Sequence, residues 1–302
     1  MTATLTDQVV TRVRADSLPR RRRSGKSALL TVLMLLCLVY FLLPIFWLVV
    51  ASTKANEDLF SSFGLWFSRM NLLQNLHDVF TFQNGVFGHW MLNSLVYAIV
   101  SGFGASALAT AAGYAFAKYR FPGGNAMFTV VLGAVMIPMT ALAIPTYLLF
   151  AGANLTNTPW AVILPSLVSP FGVYLMRVYA TDAVPDSLIE AARVDGAGEM
   201  RIFVQIVLRL LVPGSVTVLL FTLVASWNNY FLPLIMLNSP ELFPLPVGLA
   251  QWQAASAAGS GSQALFSTVI TGSLVSVLPL MAAFLFLQRY WQSGLGTGAV
   301  KA

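Results

Sequence analysis

Long apolar runs alternate with short polar or charged segments along most of this chain. Several of the runs pass the roughly 18 apolar residues that mark a helix able to cross a bilayer. The pattern predicts six spans, at about 28–51, 92–117, 126–150, 159–179, 212–237 and 264–288. The expected fold class is all-α, a polytopic membrane protein with six transmembrane helices. A segment at 1–27 precedes the membrane domain at 28–288, and a short tail at 289–302 follows it. The connections leave no room for a soluble catalytic domain. Composition agrees: 57% of the residues are hydrophobic and 9% charged, with a mean hydropathy of +0.76, where soluble domains carry about 25% charged residues.

One interval breaks the pattern. Residues 186–213 read DSLIEAARVDGAGEMRIFVQIVLRLLVP and carry acids and arginines between two apolar runs. Ser187 and Glu190 have the spacing of a capping box, in which the serine caps the helix and the glutamate reaches back to the serine amide. The helix so started has about two turns, with Leu188, Ile189 and Ala192 as an apolar face and Ala191 as a small surface. Asp195-Gly196 stops it, because glycine readily takes the left-handed conformation that ends helices. A second helix follows, with Met200, Phe203, Ile206, Val207 and Leu210 at helical spacing, and passes Pro213 into the fifth span. A helix this short is marginal alone in water, so it needs a docking surface. The inner face of a lipid bilayer is one choice. Against it, Glu190, Asp195 and Glu199 offset Arg193, Arg201 and Arg209. Docking to a protein is the better reading.

Charge placement adds an orientation. Arg12, Arg14, Arg20, Arg21, Arg22, Arg23 and Lys26 precede the first span, which keeps that end cytoplasmic by the positive-inside rule. Six crossings return the C-terminus to the same side. Lys118, Arg120, Arg177, Arg193, Arg201, Arg209, Arg289 and Lys301 are then cytoplasmic, and only Lys54 and Arg69 fall outside. The net charge of +6 reflects topology, and no nucleic-acid partner is needed to explain it. The first apolar run is longer than the roughly 7–15 residues of a signal-peptide core and reads as a retained span. Cys37 lies within it, alone, so neither a disulfide nor a thiolate metal site is indicated.

Motifs for catalysis fail on inspection. RRRRSGKS at 20–27 ends like a phosphate-binding loop but has Arg20 where the first glycine belongs. GFGASA at 102–107 lies within a span, where small residues let helices pack closely. Asn154-Leu155-Thr156 is a common sequon without weight here, and His77 and His89 form no HExxH pattern. No nucleophile–base pair or metal site is expected, and the chain is not read as an enzyme. Polar residues inside the spans say more, because polar groups facing lipid are costly. Ser226, Asn228, Asn229 and Tyr230 stand in the fifth span, and Pro138, Pro145, Pro165, Pro170 and Pro279 interrupt others. Together they favour a bundle around a polar path.

EAARVDGAGEMRIFVQIVLRLLVP resembles the EAA loop of ATP-binding-cassette importer permeases of the carbohydrate type. Glu190, Ala191, Ala192, Asp195, Gly196, Ala197, Phe203, Ile206, Leu208, Leu210 and Pro213 match position by position, while Arg209 stands where the family usually has proline. NSLVYAI at 93–99, AAGYAFAKYRFPG at 111–123, SWNNYFLPLI at 226–235, FPLPVGLAQWQ at 243–253 and the tail RYWQSGLGTGAVKA are similar to other segments of the smaller, maltose-type permease. The resemblance implies a type I importer permease in a bacterial plasma membrane. It implies a second permease subunit as partner, two cytosolic ATPases and an extracytoplasmic sugar-binding protein. ATP and magnesium would be bound by the ATPase, with no cofactor in this chain. Glu190, Ala191, Ala192, Asp195, Gly196, Ala197 and Phe203 are the implied ATPase-docking residues. Asn228, Asn229 and Tyr230 suit hydroxyl-rich solutes along the path, and they suit helix packing equally well. The segments at 52–91 and 238–263 would touch the binding protein. An ion-coupled secondary carrier is the alternative. It would want ionisable residues within the spans, and none stands well inside one.

Overall fold

A computed structural model describes residues 28–257 and 265–296, with side chains up to 288. The basic N-terminal stretch, residues 258–264 and the last six residues of the tail lie outside the described residues. All regular structure in the described residues is helical. Helix α1 spans Ala28–Ser52, and its residues up to Trp47 form a unit of their own. Its side chains from Leu29 to Leu43 are exposed and almost all apolar, a composition suited to lipid.

In the second unit, α2 (Asn56–Ser61) precedes α3 (Leu72–Lys118). Helix formation thus begins far ahead of the expected start near 92. Two helices join within α3 across a kink at Phe82–Gly85, where Gln83, Asn84 and Gly85 all have positive φ (50°, 59° and 75°). Left-handed backbone at two non-glycine residues needs outside support. Trp252 Nε1 supplies one bond, donating to Gln83 Oε1 at 3.0 Å, beside a cluster of Phe82, Phe87, Trp90 and Trp252 rings.

The expected third span is not one helix. It divides into α4 (Gly124–Val135) and α5 (Ala143–Gly152), with the exposed stretch Met136–Leu142 between them. Pro138 has no N–H to donate, and its ring disfavours helical backbone at the preceding Ile137. Among the described residues five helical segments, counting Trp160–Ala183 as one, are long and apolar enough to cross a membrane, and this pair supplies only short pieces. Proline also divides the next span, into α6 (Trp160–Ser166) and α7 (Pro170–Ala183). Ser169 caps α7, accepting from the Gly172 N–H.

Beyond α7 come α8 (Asp186–Val194) and α9 (Glu199–Ile202). A π-helical turn at Phe203–Val207 leads directly into α10 (Leu208–Trp227). The fifth span therefore ends at Trp227, about ten residues short of the expected end, and α11 (Phe231–Met236) follows. Two causes act together. Pro233 cannot donate to the Asn229 carbonyl, and the asparagine side chains compete for backbone partners. Asn228 Nδ2 donates to the Val224 carbonyl at 2.9 Å, and Asn229 Oδ1 accepts from the Leu232 N–H at 3.4 Å. Helices α12 (Leu245–Ala257) and α13 (Phe266–Gly296) complete the unit.

Helix α3 packs along α7 and α10 and also meets α13. Small residues permit these approaches. A Cβ on Gly113 would lie 2.7 Å from the Arg177 amide nitrogen, and one on Gly214 would lie 2.7 Å from the Tyr179 ring. Side chains fill two cores. The first gathers Phe87, Trp90, Tyr97, Trp227, Leu245 and Trp252. The second gathers Ala109, Tyr114, Met176, Ala180, Ile189, Ile202 and Leu211. At the first core, α3 holds the segment before α12 by its backbone. Trp90 Nε1 donates to the Pro240 carbonyl (2.9 Å), Asn93 Nδ2 to those of Glu241 and Phe243 (2.6 and 3.1 Å), and Tyr97 Oη to that of Leu242 (2.9 Å). Ser94 Oγ accepts from the Leu245 N–H (2.8 Å).

Candidate functional site

The charged interval sits on the second core. Pro185, in extended conformation, precedes α8 and makes no side-chain cap. Ser187 therefore lies inside the first turn, and the capping box expected from its spacing does not form. Asp186 takes the first helical position instead, where its charge complements the helix N-terminus. The helix is strongly two-faced. Ile189 and Ala192 are buried against the second core, while Leu188, Glu190, Ala191, Arg193, Val194 and Asp195 are exposed. Leu188 thus parts from the other two residues of its expected apolar face, and Val194, 87% exposed, joins the outer surface. Gly196 has φ +78° and ends the helix as its residue type requires. Its N–H donates to the Arg193 carbonyl at 3.0 Å, and that of Ala197 to the Ala192 carbonyl at 3.0 Å.

The seven residues implied for ATPase docking divide between two environments. Glu190, Ala191, Asp195 and Gly196 lie at the surface. Ala192, Ala197 and Phe203 turn inward, where Phe203 stacks on Tyr114 with centroids 5.4 Å apart. These three hold the loop in place. Ile202, fully buried, was absent from the expected apolar stripe because the stripe assumed one regular helical period. The π-helical turn shifts that period within the second helix. It lies just ahead of Arg209, so the backbone irregularity here falls before the family's proline position.

Two polar ties missed by the sequence reading join this loop to the end of α3. Lys118 Nζ donates to Asp186 Oδ1 at 2.8 Å and to the Thr181 carbonyl at 3.4 Å. Tyr119 Oη donates to Glu199 Oε2, and Arg193 Nε donates to Glu199 Oε1 at 2.7 Å. Lys118 holds the Asp186 carboxyl below its usual range. Arg193 first, then Tyr119, does the same for Glu199, while desolvation and the bond to Glu199 raise Tyr119. Depressed carboxylate pKa values mean that both ties are formed at neutral pH and open as pH falls through those lowered values. A cleft of about 550 Å³ lies alongside, lined by Arg120, Gly124, Arg177, Ile189, Glu190 and Arg193 among others. Arg177 is occupied over the Phe128 ring, 3.7 Å from its centroid.

The expected path residues stand elsewhere, at the junction of α10 and α11. Asn228 and Tyr230 are exposed and Asn229 is half-buried. Both asparagines already serve the local backbone, as described above.

Comparison with known proteins agrees with this geometry. The family described as binding-protein-dependent transport system inner membrane component matches residues 107–295. The arabinooligosaccharides transport system permease protein AraQ of Bacillus subtilis is 35% identical over 276 residues, covering 91% of this chain and 95% of the relative. The lactose transport system permease protein LacG of Rhizobium radiobacter is 29% identical, covering 85% and 90%. The fold is similar to a chain in the crystal structure of a bacterial ABC transporter involved in the import of the acidic polysaccharide alginate. That match has a TM-score of 0.76 at 20% identity and covers 87% of this chain and 95% of the other. With its helices apolar enough to cross a membrane several times over, the chain belongs to the inner membrane components of binding-protein-dependent transport systems, the permease subunits of ATP-binding-cassette importers.

Proposed function

We propose that this permease forms half of the path of a sugar importer and is driven by a cytosolic ATPase that grips α8. The relatives named for arabinooligosaccharide and lactose transport support a carbohydrate cargo. One observation carries the docking reading. The outer face of α8 presents Leu188, Ala191 and Val194 between the charges of Glu190 and Asp195, on a helix fixed from behind by Ile189 and Ala192. Such a face suits a protein cleft with apolar walls and basic or amide donors at its rim.

The α8 end is cytoplasmic in this reading, and both termini lie on that side. ATP and magnesium belong to the ATPase. Closure of the ATPases on ATP carries α8 with them and tilts the packed helices, which opens the path outward. Lipid cannot satisfy the irregular backbone at Met136–Leu142. The second permease half supplies protein or enclosed water against it. Asn228, Asn229 and Tyr230, at the outer end of α10, meet a hydroxyl-rich solute in this reading, and the segments at 52–91 and 238–263 receive the binding protein.

Gly196→Pro tests the docking. Proline removes the N–H given to Arg193 and cannot adopt φ +78°. The variant should insert into the membrane in normal amount but lose the co-purifying ATPase and sugar uptake. Normal uptake by Gly196→Pro would remove the turn from the docking role. Crosslinks from position 188 that reach only phospholipid would show that α8 rests on the membrane instead.

A further inference from the structure

Chain connectivity gives α8 two routes into the membrane domain. It follows α7 through Val184 and Pro185, and it leads through α9 and the π-helical turn into α10. The third central helix, α3, is remote in sequence. Asp186 lies 68 residues from Lys118, and Glu199 lies 80 from Tyr119. We propose that Lys118 and Tyr119 are positioning residues that fasten the two ends of the charged loop to α3, so that displacement of α8 enters α3, α7 and α10 together. The proposal rests on the docking of α8 put forward above and names where its motion goes.

The two ties differ in kind and complement one another. Lys118 is the better shielded partner of its pair, with its side chain 8% exposed against 77% for Asp186. It also holds the Thr181 carbonyl near the end of α7, so a single ammonium joins α3 to both sides of the α7–α8 corner. Tyr119 acts at the other side of the Gly196 turn. Its hydroxyl and Arg193 take separate oxygens of Glu199, which links α3, α8 and α9 through one carboxylate. The Tyr119 ring packs edge-on against Tyr114, which in turn stacks on Phe203. With these ties absent, α8 would still rest on Ile189 and Ala192. It could then slide across the end of α3 without tilting it.

The test uses the complete transporter, with both ATPases and the second permease half, in proteoliposomes given sugar-loaded binding protein. Two quantities are read: sugar taken up per ATP hydrolysed, and a crosslink from position 188 to the ATPase. Lys118→Met should keep the crosslink and lower the uptake ratio at least five-fold. The double exchange Lys118→Asp with Asp186→Lys should recover most of the ratio. Tyr119→Phe keeps the ring and removes only the hydroxyl, and should lower the ratio about two-fold. It also serves as the test if Lys118→Met fails to assemble. Unchanged ratios in both single variants, or a ratio lost in Lys118→Met and not regained in the exchange, overturn the proposal. A native complex without the crosslink overturns the docking reading, and this one with it.

Discussion

The two ends of α3 fasten their neighbours by different chemistry. At the first core, Trp90, Asn93, Ser94 and Tyr97 bond the backbone around Pro240–Leu245 with neutral groups, three of them nearly or fully buried. At the second, Lys118 and Tyr119 bond carboxylates at an exposed surface. Buried side-chain-to-backbone bonds cannot exchange for water without leaving an orphaned polar group. Bonds to exposed carboxylates can, because water replaces the lost partner at little cost. One end is built as a fixed joint and the other as a joint that can be loaded and released.

Trp90→Ala should show the contrast most strongly. Removing a fully buried indole costs on the order of 3–5 kcal/mol. Amide exchange across Pro240–Leu245 should accelerate by orders of magnitude, while exchange across α8 stays unchanged. Equal acceleration at the two ends would mean that they are not separate joints. Asn93→Ala removes two donated bonds worth about 1 kcal/mol each. It should make the same segment several-fold more sensitive to proteolysis, and an unaltered cleavage rate would discount those bonds. The smallest effect is expected from salt. Raising ionic strength from about 0.1 M to 1 M shortens the screening length from about 10 to 3 Å. Amide exchange should rise modestly across Asp186–Ile202 and remain flat across Pro240–Leu245. A response at the second segment would contradict the neutral character assigned to that joint.

How much of this was readable in the sequence depended on the range of the interactions. Glycine at 196 sets its own backbone, so the end of α8 followed from one residue. The presence of the apolar runs likewise follows from length and hydropathy. Ser187 shows the limit of local spacing. It has the right neighbours for a cap, but the extended Pro185 moves the helix start forward and puts Asp186 first. The divided third span was foreshadowed by Pro138, although length and hydropathy alone described it as continuous. Lys118 and Tyr119 stood in the quoted AAGYAFAKYRFPG segment, yet nothing nearby in sequence identifies Asp186 and Glu199 as their partners. Such pairings exist only once α3 and α7 are packed. Asn228 and Asn229 were noticed for their amides, and the structure gives those amides local employment.

The π-helical turn at Phe203–Val207 has a consequence for the timing of the helix that contains it. A wide turn holds one residue more than an ordinary turn, and each residue of an α-helix advances the azimuth by about 100°. Loss of one amino acid from this turn could be absorbed by tightening it, with the helices on either side keeping their facing. The same loss a few positions later would rotate everything beyond it by more than a quarter of a circle. The chain thus carries its spare residue at the junction between the charged loop and the bilayer.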